Sequence, residues 1–78
     1  MYATAEDFIS RIGEFQAIQL TDRDREGVVN DSVLTIALSD STSQIEGYLS
    51  ARYRLPLPSV PQNLTRICCD LTRYRLAS

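Results

Sequence analysis

The run TDRDREG holds the spacing in this chain that most resembles a chemical site. Asp22, Asp24 and Glu26 alternate with Arg23 and Arg25, and Gly27 follows directly. An EF-hand calcium loop begins this way, with oxygen ligands at its first, third and fifth positions and a glycine at the sixth for the sharp turn. It closes on a bidentate glutamate at the twelfth position, which here is Val33. Asn30 and Asp31 fall at the ninth and tenth positions and do not replace it, while two arginines inside the loop oppose a divalent cation. The stretch therefore reads as a polar turn in which Gly27 permits a positive φ and the acids are solvated. No metal or cofactor is assigned.

Cys68 and Cys69 are the second chemical possibility. Adjacent cysteines in a helical stretch cannot form the long-range staple of a small secreted domain, so a reduced, intracellular setting is expected. Cys68 falls on an apolar row and reads as a small core residue, and Asp70 beside Cys69 disfavours a thiolate. Histidine and lysine are absent from the chain. That removes the commonest general base and every Schiff-base mechanism, so an enzyme is not expected.

The elements that would position these groups are all helical. Thr4 can cap a first helix of about two turns, with Asp7 at its positive end, Phe8, Ile9 and Ile12 on its apolar face and Gly13 as a left-handed closing residue. Glu14 to Leu20 offers Phe15 and Ile18 at a spacing of three for a short second helix packed beside it. Asn30 or Asp31 can cap the longest helix, which runs to about Tyr53. Leu34, Leu38, Ser41, Ile45 and Leu49 form its stripe, Val33, Ala37 and Tyr48 widen it, and Gly47 suggests a close helix contact. The prolines of LPLPSVPQN make a stiff elbow. Ser59 and Gln62 resemble a capping box there, with Pro61 in the first turn of a last helix. That helix presents Leu64, Ile67, Cys68 and Leu71, with Tyr74 or Arg75 continuing the row. No strand-like alternation is sustained. The fold class is all-α, a small bundle of about four helices in a single domain spanning residues 1 to 78.

Seventy-eight residues give a thin core, burying about 60% of the unfolded surface. No segment approaches the ~20 apolar residues of a membrane span, and MYATAEDF lacks the basic start and apolar run of a signal peptide. The chain is expected to be soluble. Its net charge of −2 is unevenly spread, with nine acids and three arginines in residues 1 to 46 but one acid and five arginines in residues 47 to 78. Such a split suggests an interface between opposite halves, within or between subunits, or a basic patch for an acidic partner.

Four stretches, YATAEDFISRIGE, IQLTDRD, IEGYLSARYRLPL and the arginine-bearing segment from Pro61 to Leu76, resemble the N-terminal part of a family encoded by Mu-like phages and prophages. The resemblance covers nearly the whole sequence. It implies a structural role in virion morphogenesis, as a head-completion protein or head-to-tail connector without catalytic residues, located in the virion or in the host cytoplasm during assembly. Relatives often carry a glycine-rich acidic version of the loop, whereas Arg25 and Glu26 stand here. Relatives also continue beyond the position of Ser78 with further helical sequence. An end there would leave Leu64, Ile67 and Leu71 to be covered by another chain, favouring a dimer or a domain swap.

The expected partners are further copies of this chain, in a ring, dimer or domain swap, and the portal or tail proteins of the phage, with no membrane. Arg52, Tyr53, Arg54, Arg66, Arg73, Tyr74 and Arg75 are the interface residues this reading selects, the tyrosines as amphipathic anchors. The alternative is a small nucleic-acid-binding module that uses the same arginine and tyrosine face. The acidic overall balance makes DNA contact secondary.

Overall fold

The computed structural model describes residues 1–55 and 57–78. Four helices follow one another: α1 (Ala5–Ile12), α2 (Glu14–Thr21), α3 (Asp31–Leu49) and α4 (Gln62–Ala77), and no strand occurs among the described residues. The fold is all-α.

Local chemistry sets the two clearest starts. At α1 the Thr4 hydroxyl accepts from the Asp7 amide at 3.0 Å and the Asp7 carboxylate accepts from the Thr4 amide at 2.9 Å, a reciprocal box that satisfies two otherwise orphaned donors. At α3 the cap is Asn30, whose side-chain oxygen accepts from the Val33 amide at 3.1 Å. Gly13 both ends α1 and precedes α2, at φ 88 and ψ 150. Its ψ lies far outside the left-handed helical well expected for it, in a region essentially reserved for glycine. The chain thereby turns between two helices without a loop.

α3 and α4 run antiparallel, with Leu64 beside Leu49, Cys68 beside Thr42 and Thr72 beside Ser41. α1 and α2 each pack on both of them. The shared core holds Phe8, Ala17, Leu34, Ala37, Leu38, Ile45, Cys68, Cys69 and Leu76, together with Tyr2 and Ala3 from ahead of α1. The Tyr2 amide donates to Thr42 Oγ1 at 3.4 Å, and its carbonyl accepts from Thr65 Oγ1 at 2.9 Å. Its phenol donates to the Glu46 carboxylate at 3.3 Å. The N-terminal residues are thus a structural strap across α3 and α4. Loss of hydration, then the adjacent carboxylate, raises the phenol's pKa.

Several expectations need correction. α3 stops at Leu49 rather than near Tyr53; a turn follows, in which the amides of Arg52 and Tyr53 both donate to the Leu49 carbonyl. Tyr48 is exposed, not part of the stripe. A Cβ at Gly47 would meet nothing within 4 Å, so no close helix contact explains that glycine. In α2 the expected Phe15 and Ile18 row is not the packed one: Ala17 and Thr21 are buried and Phe15 is 74% exposed. The small residues face inward because α2 lies against both long helices. At α4, Ser59 forms no cap; Pro61 is itself the cap residue, outside the first turn, with its carbonyl accepting from the Leu64 amide at 2.9 Å.

The buried row of α4 is Cys68, Cys69, Thr72 and Leu76, while Tyr74 and Arg75 are exposed. The row is rotated from expectation because α1, α2 and α3 all pack against this helix. Leu64, Ile67 and Leu71 are partly buried at its edge. The elbow stands between α3 and α4 as expected, and the part of that expectation falling on Pro56 lies outside the described residues.

Candidate interaction surface

The polar loop is built as a turn. Asp22 Oδ1 accepts from the Glu26 amide and Oδ2 from the Gly27 amide, both at 2.8 Å, so one carboxylate closes the loop on its own backbone. Arg25 and Gly27 have φ of 58 and 78. Thr21 Oγ1 donates to the Ala17 carbonyl at 2.7 Å and accepts from the Asn30 amide at 3.0 Å, tying the end of α2 to the start of α3. These bonds give Asp22 and Gly27 structural roles.

Both cysteines are free and buried. Burial foremost, then the neighbouring Cys68, pushes the Cys69 thiol up to about 11, against the opposing pull of Arg11. Asp70, the cause expected from sequence, contributes least. Cys69 is therefore a neutral thiol at physiological pH, inside the core.

The seven selected interface residues separate into groups. Arg52, Tyr53 and Arg54 lie in the turn after α3, all exposed, with Tyr53 58% accessible. Arg66 lies near the start of α4, held at 3.3 Å from Asp70 and 2.8 Å from Asn63. That pair is solvent-exposed and adds little to stability. Arg73, Tyr74 and Arg75 occupy the far end of α4; Arg75 donates to the Gln44 side chain at 2.8 Å, and Tyr74 is 75% exposed. The two arginine-tyrosine clusters stand at opposite ends of a 16-residue helix, about 24 Å long at 1.5 Å per residue. They do not form one patch.

The sequence reading missed the concavity beside the first cluster. Leu49, Tyr53, Leu57, Pro61, Asn63 and Leu64 line an apolar groove where the elbow folds back between α3 and α4. The prolines signalled a break in helix, but not that Leu57 and Tyr53 would be brought against Leu49 and Leu64. Among the described residues, the one ion pair is Arg66 with Asp70, within α4. The acidic and basic halves of the chain form no ion pair with each other there.

Residues 2–78 match the family described as "Bacteriophage Mu, Gp36". The chain is 41% identical over 76 residues to "Gene product J" of Escherichia phage Mu, covering 96% of this chain and 54% of that protein. It is 34% identical over 76 residues to "Mu-like prophage FluMu protein gp36" of Haemophilus influenzae, covering 97% of this chain and 54% of that one. The chain thus spans about half the length of these curated relatives.

Proposed function

The chain belongs to the bacteriophage Mu Gp36 family, and from that premise we propose that it is a structural protein of virion morphogenesis. It acts by protein-protein assembly at head completion or at the head-to-tail connection. The observation that carries this reading is the elbow, where the exposed Tyr53 lines an apolar groove and the exposed Arg52 and Arg54 stand next to it in the chain. An apolar groove with an aromatic wall and arginines close by in the chain has the composition of a protein interface. The acidic first half and basic second half of the chain support a neighbouring subunit as one partner, and portal or tail proteins as others.

Protein contact is favoured over nucleic acid because the two arginine-tyrosine clusters lie apart along α4, so they offer no continuous phosphate track. The protein has no catalytic role in this reading. No helix among the described residues is long and apolar enough to cross a membrane. Assembly would take place in the host cytoplasm and leave the protein in the virion.

Deleting the gene from an inducible phage or prophage and imaging the lysate tests the proposal. Heads and tails that form separately but fail to join are expected, with joining restored by the gene in trans. Normal joined particles from the deletion strain would overturn it.

A further inference from the structure

Two surfaces at different places among the described residues are open to solvent and complement each other. The first is the outer face of α2. Because Ala17, Leu20 and Thr21 turn inward, Phe15 stands on the outer side of α2, 74% exposed, with Ile18 half-buried beside it. Glu14, which is exposed, lies one turn before Ile18 on the same side by helical spacing. This is an apolar knob with one acid, Glu14, beside it.

The second is the elbow groove of Leu49, Tyr53, Leu57, Pro61 and Leu64. The exposed Arg52 and Arg54 flank its Tyr53 in the chain, and no acid occurs between Gly47 and Cys69. The groove is an apolar socket with an arginine on either side of its tyrosine in the chain. A lone exposed hydrophobic residue needs no explanation. A knob and a socket of opposite charge on one chain do.

We infer that the α2 knob, Phe15 with Glu14 beside it, seats in the elbow groove of a second copy of this chain, where Arg52 and Arg54 meet Glu14. This rests on the assembly reading above and names the contact between like subunits. The two patches differ, so the contact is heterologous: each copy keeps one free knob and one free groove, and copies add head to tail into a ring or a filament. Phenylalanine is large enough to anchor such a contact. The paired charges favour the correct register, since knob against knob or groove against groove would set like charges together.

The test is the solution mass of the full chain by light scattering at rising concentration, for the wild type and two variants. Phe15→Arg destroys the knob and Tyr53→Glu the groove border. Both positions are exposed, so both variants should retain wild-type helicity by circular dichroism; Phe15→Ser and Arg54→Glu are the second pair should either first variant misfold. The wild type should exceed the monomer mass of 8.8 kDa progressively, and each variant alone should remain monomeric.

An equimolar mixture of the two variants should form a species of twice the chain mass and no larger, because it contains one intact knob for one intact groove. Added salt should weaken the association. A wild type that is monomeric at millimolar concentration, a variant that associates like the wild type, or a mixture that stays monomeric would each overturn the contact. None of these outcomes would alter the lysate phenotype of the deleted gene, which tests the assembly role separately.

Discussion

Thr72 has one hydroxyl proton and two neighbours, the Cys68 carbonyl at 2.8 Å and Ser41 Oγ at 2.9 Å. The carbonyl can only accept, so Thr72 gives it the proton and Ser41 must donate to the Thr72 oxygen. Both side chains are fully buried, which makes this a polar tie between α3 and α4 with no water to replace it. Thr72→Val keeps the shape and leaves the Ser41 hydroxyl without its partner. It should cost about 1–3 kcal/mol in urea unfolding. Adding Ser41→Ala should recover most of that loss, because no donor is then stranded. If the double variant is as unstable as the sum of the singles, the two hydroxyls are not coupled and the tie is absent.

At the scale of elements, two glycines make the opposite demand on the backbone. Gly13 joins α1 to α2 at φ 88, whereas Gly47 is inside α3, and a Cβ meets nothing within 4 Å at either place. Backbone conformation alone therefore decides both substitutions. Gly13→Ala should destabilise by about 1–3 kcal/mol, and Gly47→Ala should stabilise by up to about 1 kcal/mol. Thermal unfolding of the two variants should shift in opposite directions; equal signs would contradict the backbone account. The same contrast explains what was legible in the sequence. Thr4 with Asp7 and Asn30 with Val33 are contacts across three residues, so the starts of α1 and α3 could be read locally. Which face of α2 or α4 is buried depends on neighbours distant in sequence, so periodicity places Phe15 inward and centres the α4 row on Leu64, Ile67, Cys68 and Leu71, whereas the structure keeps Cys68 and turns Cys69, Thr72 and Leu76 inward beside it. The strap at Tyr2 was invisible for the same reason, since its partners are Thr42, Glu46 and Thr65. The arginines of the second half are readable as a charge excess, but their division into two clusters requires the path of the elbow.

Across the whole molecule, charge follows shape. The body extends 42 × 19 × 16 Å, with the acidic loop before α3 and the arginine-bearing elbow after it. Nineteen helical residues separate these two ends by about 28 Å. A thin core in so elongated a body makes the native state sensitive to anything that binds it, because a ligand of the folded form stabilises by mass action. If the ligand is another copy, the melting temperature must depend on protein concentration. At a concentration ten times the dissociation constant the gain is about 1.4 kcal/mol. For a domain of this size that corresponds to a rise of about 6–10 °C. Differential scanning fluorimetry over a hundredfold concentration range should show this rise for the wild type at low salt and a smaller one at high salt. Tyr53→Glu should melt at one temperature throughout, since its monomer has lost the groove border but none of the core. A wild-type melting temperature independent of concentration would mean that self-contact contributes nothing to its stability.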